Sequence, residues 1–379
     1  MSAATSEVVV VGGGIVGTSA AAFLAEAGVR VTLVEREGLA SGASGANSGV
    51  VQHPFDPVLA ALYRSTVSLY RDLAAADLGF QMGSEPAGLL YVSADEAVVR
   101  DLDRSLAATF PELERQVAAG ADLERLEPAL APGLWGCRVG VAYPVHPGSS
   151  TYAYATLAER RGARLRLGRS ASLDLRGDRV VGVIVDGQPV ACDAVLVAAG
   201  PWTPELIDPT GGWRPIRHRW GVVVEAEMTS GPTHVIEEAE IGTALGTLES
   251  GGAFDPEEEL VDFSFVPLPG VSAVGSTFLA REPDPEAWIE PLLLRASTFV
   301  PGVLDAPIRG TRACARPQSE DGRPLVGPVP GRRGLFVCAG HGSWGISTGP
   351  ASARLVVDQI LGRDPAVPAA LDPARFRAP

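Results

Sequence analysis

The first thirty-five residues contain the feature that most constrains the fold. Residues 7–11, "EVVVV", are a β-branched run typical of a buried parallel strand. A G-x-G-x-x-G loop follows at 12–17, and the Ala-rich stretch "TSAAAFLAEAG" then predicts a helix that stops at Gly28. A second strand, "VRVTLVE", ends in Glu35. Strand, glycine loop, helix, strand and acid in this order predict a Rossmann-like unit that binds a dinucleotide.

Each residue type in this unit has a physical reason. Gly12 permits the tight turn, Gly14 lets backbone N–H groups approach a pyrophosphate, and Gly17 lets the helix pack against the strand. Glu35 lies 18 residues after Gly17, where a carboxylate can accept hydrogen bonds from both ribose hydroxyls. It would repel a 2'-phosphate, so NADP is disfavoured, whereas NAD and FAD both remain open.

Two further segments favour the flavin, and a third is compatible with it. Residues 41–49, rich in Gly, Ser and Ala, directly follow the acid-bearing strand and could lie along a flat cofactor, although a flexible linker has the same composition. "CDAVLVAAGPW", residues 192–202, is a strand that could bring its backbone against the same cofactor or simply end in a turn. Near the C-terminus, the strand "LFVCA" enters a glycine-rich loop, and a helix is predicted to begin near Pro350. Its N-terminus would stabilise the N1–C2=O edge of a reduced flavin.

Composition excludes several other classes. A chain of 379 residues that is 46% apolar should form about two domains. The net charge is -14, lysine is absent, and no basic run occurs, which argues against nucleic acid and anionic membrane as partners. The N-terminus has no signal-peptide pattern, and no apolar stretch reaches the ~18 residues of a membrane span. The four scattered cysteines lack metal-ligand spacing. We therefore expect a cytoplasmic protein without a metal.

Taken together, these segments resemble the FAD-dependent oxidoreductases of the D-amino acid oxidase, glycine oxidase and sarcosine oxidase family. The resemblance is carried by "VVVVGGGIVGTSAAAFLAEAGVRVTLVERE", "SGASGANSG", "VLVAAGPW" and "RPQSEDGRPLVGPVPGRRGLFVCAGHGSWGISTGPA". It implies an α/β fold with a discontinuous Rossmann-like FAD-binding domain and an inserted α+β substrate domain built on an antiparallel sheet. The expected FAD domain comprises 1–79, 141–211 and 309–364, the substrate domain 80–140 and 212–308, and a loosely held tail 365–379.

The predicted cofactor-binding residues lie in separated segments of the chain. They are Gly12, Gly14, Ile15, Val16, Gly17, Glu35, Arg36, Ser41, Ser44, Gly45, Ala46, Asn47, Ser48, Gly49, Val50, Ala171, Ala199, Gly200, Trp202, Cys314, Gly340, His341, Gly342, Ser343, Trp344, Gly345, Ile346, Ser347 and Thr348.

The resemblance implies a catalytic role for Arg316, in "CARPQSEDGRPLVGP". An arginine at this position in the family grips the substrate carboxylate, and a guanidinium can do so bidentately. The alternative is an ion pair with Glu320 or Asp321 in a surface turn. His53, which follows the Gly/Ser segment, is the second predicted catalytic residue; the alternative is that it only precedes a turn proline.

Several positions depart from the family pattern. Ser343 stands where glycine oxidases carry a second arginine, and Ser347 where sarcosine oxidases use a lysine. Ala273 occupies the place of their oxygen-activating lysine, so both an oxidase and a dehydrogenase remain open. Cys314 has the spacing of the cysteine that sarcosine oxidases bond to the flavin, but a small apolar core residue is the ordinary role. We expect non-covalent FAD, with a link to Cys314 as the alternative.

The predicted function is FAD-dependent oxidation of the C–N bond of a small amino acid or amine by hydride transfer from Cα to flavin N5. A D-amino acid, a glycine- or sarcosine-like compound and a cyclic imino acid are candidate substrates. The alternatives are a 2-hydroxy acid oxidoreductase and a non-catalytic FAD-binding assembly module. The expected partners are the substrate and oxygen or another electron acceptor. The sequence leaves the oligomeric state open.

Overall fold

A parallel sheet carries the N-terminal strand in the computed structural model, which describes residues 7–240, 259–363 and 365–376. This sheet has six strands, and all neighbours are parallel except the first pair. Because its β-branched strands are buried, the sheet forms part of the core, as predicted for a Rossmann-like domain. In order across the sheet, the strands are Leu325–Pro328, Leu335–Ala339, Ala194–Val197, Glu7–Val11, Arg30–Glu35 and Arg164–Leu167.

The Ala-rich helix, Ile15–Glu26, packs between two other helices, Ser149–Arg160 and Gly345–Ile360. Ala20, Ala21 and Ala22 are completely buried on it. Small side chains allow these helix axes to approach closely, so the composition of "TSAAAFLAEAG" is explained by packing on more than one side.

An eight-stranded sheet forms the second layer, and its neighbours are antiparallel except for one parallel pair, Leu89–Ser93 with Val235–Glu238. The described strands that lie within 80–140 and 212–308, the segments expected to form the substrate domain, all belong to it. So does the long strand Ile308–Ser319, although the predicted bounds place all but its first residue in the FAD-binding domain; the bounds themselves stay a prediction. In order, the strands are Ile308–Ser319, Ile216–Ala226, Ser272–Phe278, Leu260–Val266, Val235–Glu238, Leu89–Ser93, Trp135–Val139 and Arg115–Ala119.

The remaining elements connect or cover these sheets. Among the helices of the described residues, none has the length and apolarity that crossing a membrane requires. The other α-helices are Ala43–Ala46, Pro57–Ala75, Glu96–Thr109, Ala121–Leu126, Thr203–Ile207 and Ile289–Ser297, and the 3₁₀ turns are Gly200–Trp202, Pro285–Trp288, Pro301–Asp305, Gly342–Trp344, Ala369–Leu371 and Pro373–Arg375. Two small antiparallel sheets comprise Ala171–Arg176, Arg179–Val185 and Gln188–Ala191, and Val50–Val51 with Tyr143–Pro144.

The C-terminal helix begins at Gly345, so the predicted start near Pro350 is wrong by about one helical turn. Proline lacks the N–H that would bond the carbonyl of Ile346 four residues earlier. The hydroxyl of Tyr70 donates to that carbonyl instead, at 2.8 Å. The hydroxyl of Thr66 accepts from the next backbone N–H, that of Ala351, at 3.2 Å. The hydrogen bond from Tyr70, which lies outside the helix, therefore replaces the one that Pro350 cannot make, and the helix continues past the proline.

The expectation of a loosely held tail is wrong for the described part of the C-terminal segment. Leu371 is fully buried in the core. Arg375 donates to both carboxylate oxygens of Asp321, at 2.6 and 3.0 Å, and to the carbonyl of Arg323 at 2.6 Å. Buried apolar area and these hydrogen bonds fix the segment to the loop after the long strand.

Candidate active site

A cavity of about 530 Å³ is lined by residues of both large sheets. One end is formed by loops at the carboxyl ends of the parallel strands, and the other by one face of the antiparallel sheet. In open α/β sheets, ligands bind outside the carboxyl ends of the strands, so the position of the cavity agrees with the predicted dinucleotide site.

The glycine loop is packed so tightly that a side chain at Gly12 or Gly17 would overlap neighbouring backbone atoms. A Cβ at Gly12, where φ is +120°, would lie 2.3 Å from the carbonyl oxygen of Ala198. A Cβ at Gly17 would lie 2.0 Å from the carbonyl oxygen of Gly12. Glycine at both positions brings strand, loop and helix together, which leaves the N-terminus of the Ile15–Glu26 helix facing the cavity.

Glu35 is held at the end of its strand by two backbone donors. Its carboxylate accepts from the N–H of Gly13 at 2.7 Å and from that of Glu37 at 2.9 Å. Each carboxylate oxygen has a further lone pair, so the same group can also accept from ribose hydroxyls. Beside it, the guanidinium of Arg36 lies 4.1 Å from the ring centroid of Trp202, and both residues line the cavity.

The Gly/Ser segment is ordered, so its interpretation as a flexible linker is wrong. The hydroxyl of Ser44 accepts from the backbone N–H of Ile15 at 3.0 Å. The side chain of Asn47 donates to the carbonyls of Ala43 and Ser44 and accepts from the N–H of Gly49 at 2.8 Å. The Ser44 bond attaches the segment to the glycine loop, and the Asn47 bonds fix the turns of the segment itself. The segment forms one wall of the cavity.

The residues fit a long, flat dinucleotide. The lining takes in residues from the glycine loop, the end of the Arg30–Glu35 strand, the Gly/Ser segment, residues 169–171 and 198–202, and the C-terminal loop. The predicted cofactor-binding residues outside it are Gly17, Gly45, Gly49, Gly340 and Thr348. Four of these are glycines next to lining residues, where turn geometry or close packing explains the residue type.

The opposite wall is one face of the antiparallel sheet. Successive strands contribute polar side chains to it, because alternate residues of a strand point to the same face. From the edge strand inward, the lining residues are Cys314 and Arg316, Gly221 and Val223, Ser276 and Phe278, Asp262 and Ser264, Glu237, and Tyr91.

Arg316 is fixed in this wall. Its guanidinium donates to the carbonyl of Thr277 at 2.7 Å and to the hydroxyl of Ser276 at 2.5 Å, and lies 4.4 Å from the ring centroid of Phe278. These bonds use two of its five N–H donors. Burial lowers the pKa of Arg316, but a guanidinium keeps its proton near neutral pH.

The surface-turn alternative for Arg316 is wrong, because the two acids have other partners. Glu320 lies 3.9 Å from Arg217, and Asp321 pairs with Arg375. The arginine side chain instead crosses the neighbouring strand above Gly221. A Cβ at that glycine would be 2.3 Å from Nη1 of Arg316. The missing side chain is therefore what lets the guanidinium lie flat on the sheet.

Two carboxyl groups also line this wall, and the sequence analysis missed both. Glu237 accepts from the side-chain amide of Gln52 at 3.1 Å and from Tyr91, and burial raises the pKa of Glu237 to about 7. Asp262 is 6% exposed, and its Oδ1 has no hydrogen-bond partner in the part of the chain that the structure describes. Burial, followed by repulsion from Glu237, raises the pKa of Asp262 well above its usual range.

His53 lies outside the cavity lining, which contradicts its predicted place beside substrate or flavin. It is 2% exposed and packs against Phe55, Tyr63 and Phe110, with ring centroids 5.0–5.4 Å apart. Burial lowers the pKa of His53 to about 4, so the ring is neutral near pH 7. The residue is part of an aromatic cluster and is not retained as catalytic.

The C-terminal loop reaches the cavity between the two walls. The hydroxyl of Ser347 accepts from the backbone N–H of Gln52 at 2.9 Å, and Ser343 also lines the cavity. His341 is buried, which lowers its pKa to about 3, so it too is neutral. Burial raises the pKa of the Cys314 thiol, which therefore stays protonated near neutral pH. No group of acids, histidines and cysteines among the described residues could hold a metal ion.

Comparisons with known proteins agree with this geometry. A family profile described as "FAD dependent oxidoreductase" matches residues 7–359. Glycine oxidase of Pseudomonas aeruginosa is 30% identical over 397 aligned residues, which cover 98% of each chain. D-amino-acid oxidase of Bradyrhizobium diazoefficiens is 27% identical over 236 residues, 61% of this chain and 52% of that one. The crystal structure of glycine oxidase from Geobacillus kaustophilus has a TM-score of 0.80 at 26% identity and covers 99% of this chain and 100% of that one.

Proposed function

Because the chain belongs to the family of FAD-dependent oxidoreductases, we propose that it oxidises the C–N bond of a small amino acid or amine whose carboxylate is bound by Arg316. One observation carries this proposal. A guanidinium fixed in the antiparallel wall and a glycine-rich dinucleotide cradle face the same cavity. FAD bound in that cradle would accept the hydride from the substrate Cα.

The residues of the chain bind and orient the substrate. Arg316 can present two parallel N–H groups to a carboxylate, which fixes both the position and the rotation of the substrate. Phe278 lies against one face of the guanidinium and limits the approach of water on that side. A substrate that arrives as the neutral amine needs no general base before hydride leaves, and the imine product then hydrolyses or, if cyclic, persists.

Anaerobic mixing of the FAD-loaded protein with amino acids should bleach its visible absorbance, because the proposed reaction leaves the two electrons on the flavin. A panel of D- and L-amino acids, glycine, sarcosine and cyclic imino acids is mixed in a stopped-flow spectrometer, with the matching 2-hydroxy acids as controls. Bleaching by 2-hydroxy acids alone would assign the protein to hydroxy acid oxidation. A flavin that no member of the panel bleaches would support the assembly-module alternative and contradict the proposal.

We further propose that FAD is bound without a covalent link. Formation of a thioether requires the Cys314 thiolate, and burial disfavours that form. Precipitation of the holoprotein with acid should therefore release the yellow colour into the supernatant, measured by absorbance. The Cys314→Ala variant is the control and should release as much flavin. Colour that stays with the wild-type pellet but leaves the variant would instead establish a bond to Cys314.

A further inference from the structure

The wall that holds Arg316 also carries two carboxyl groups that the proposed reaction does not use. Ser276, Asp262 and Glu237 lie on three consecutive strands of the antiparallel sheet, and all three line the cavity. Since Arg316 reaches across to Ser276, the wall changes from a guanidinium to two carboxyl groups over adjacent strands. A ligand lying along it would meet the guanidinium and then two acids, which a cationic group of the ligand would keep ionised.

Oδ1 of Asp262 lacks the hydrogen-bond partner that a buried acid ordinarily has, and the nearby Arg316 acts on Asp262 only as a neighbouring charge. The side chain is about nineteen-twentieths buried, yet Oδ1 accepts no hydrogen bond from any described residue. A buried carboxylate is strongly disfavoured unless it is protonated, hydrogen-bonded or paired with a cation. Because Asp262 lines the cavity, a cationic group of a ligand can supply that missing partner.

Glu237 adds a second carboxyl group beside it. Gln52 and Tyr91 orient Glu237 by donating to it, which leaves lone pairs for another donor. The next residue, Glu238, does not line the cavity and is paired with Arg295. The nearest cation that lines the cavity on this wall is Arg316, which is already bonded to Ser276 and Thr277.

We propose that Glu237 and Asp262 form a subsite for a cationic side chain, so that the preferred substrate is a dibasic amino acid. This inference rests on the proposed function, because it requires the α-carboxylate at Arg316. Neighbouring strands are ~4.8 Å apart, so the two acids lie roughly 5–10 Å from the strand that the guanidinium reaches. The α-nitrogen of an amino acid is only about 2.5 Å from its carboxylate carbon, by standard bond lengths. A side-chain ammonium spans the distance, whereas the α-ammonium falls short of Glu237.

The first test compares substrates of equal length with and without the second charge. Ornithine is measured against norleucine, and lysine against 2-aminoheptanoic acid, each as both enantiomers, with steady-state kinetics of the holoenzyme. A charge-assisted hydrogen bond predicts a preference of roughly 10- to 100-fold in kcat/KM for the dibasic member. A wild-type protein that shows no such preference but oxidises the neutral amino acids would overturn the subsite and leave the proposed function standing.

Substitutions test whether Glu237 and Asp262 cause the preference for dibasic over neutral substrates. Glu237→Gln and Asp262→Asn preserve shape and remove charge, and each should reduce the preference for the dibasic substrate to about threefold or less, if the pair supplies most of a charge-assisted bond. Glu227→Gln, at an exposed glutamate paired with Arg309 outside the cavity, is the matched control and should retain the full preference. Flavin content and thermal unfolding confirm that each variant is folded.

A second readout does not depend on turnover. α-Methylornithine has no hydrogen on Cα and cannot be oxidised there, so its binding to the holoenzyme can be measured by calorimetry against α-methylnorleucine, which has a side chain of the same length. Tighter binding of α-methylornithine that disappears in Asp262→Asn supports the subsite even if no amine bleaches the flavin. If the acids instead act as proton acceptors, both variants would slow kcat for neutral and dibasic substrates alike and leave α-methylornithine binding unchanged. That result would overturn the proposal.

Discussion

Replacement of Arg316 by leucine is expected to lower kcat/KM for amino acid substrates by about 10²- to 10³-fold. Loss of one partner from a buried, hydrogen-bonded charge pair costs about 2–5 kcal/mol, and each ~1.4 kcal/mol is a factor of ten. The effect should be large here because Arg316 is held in place before the substrate arrives, by Thr277 and Ser276. Steady-state kinetics with the best substrate of the panel measure it.

Two comparisons show whether the carboxylate is what Arg316 recognises. An amine of similar size without a carboxylate should lose less than about threefold in kcat/KM, since it forms no charge pair with the guanidinium. Arg316→Lys keeps the charge but loses the bidentate geometry, so its kcat/KM should be intermediate. Flavin content must match that of the wild type, because removal of Arg316 also takes away a positive charge that favours the ionised form of the buried Asp262. Unchanged turnover of amino acids by the flavin-loaded leucine variant would show that Arg316 does not bind the substrate carboxylate.

The cofactor end of the cavity was predictable because its residues are constrained locally. A tight turn, a helix start and a strand end follow each other within thirty residues, and each has a strong residue preference. Gly12 and Gly17 are required by backbone contacts that no side chain can accommodate. The Gly/Ser segment was ambiguous for the opposite reason. Its composition suits both a linker and a cofactor loop, and the two are distinguished by hydrogen bonds that the composition does not reveal, such as the one from Ile15 to Ser44.

The substrate end was less predictable because its residues come from strands far apart in the chain. The family position predicted a role for Arg316, but no local pattern marks Glu237 or Asp262, which meet only when strands about 25 residues apart pair. The alternation of "VDFSFVPL" places Asp262 and Ser264 on one face, yet the sequence alone does not tell which face carries the cavity. The prediction of a catalytic role for His53 was wrong for a related reason. The burial of His53 among aromatic rings depends on Phe110, which lies far along the chain.

Gly221→Ala is the second change with a large expected effect, although the glycine need not touch the substrate. A methyl group there would lie 2.3 Å from Nη1 and 2.4 Å from Nη2 of Arg316, so the guanidinium must move. Its bonds to Thr277 and Ser276 would then lengthen or break. We expect kcat/KM for amino acids to fall by about 10- to 100-fold, mainly through KM, because a displaced guanidinium loses part of the energy of a charge-assisted bond.

A double-mutant cycle distinguishes this positioning role from a general loss of stability. If the methyl group acts only through the guanidinium, Gly221→Ala should have little further effect on kcat/KM once Arg316 is leucine. Gly310→Ala is the matched control: it lies on the strand of Arg316, and the nearest atom to its Cβ is a carboxylate oxygen of Glu225 at 3.3 Å, not the guanidinium of Arg316. Equal losses in the control, or full additivity in the cycle, would mean that the sheet rather than the arginine is disturbed. A non-additive loss confined to carboxylate substrates would show that Gly221, because it has no side chain, keeps Arg316 in position to bind the carboxylate.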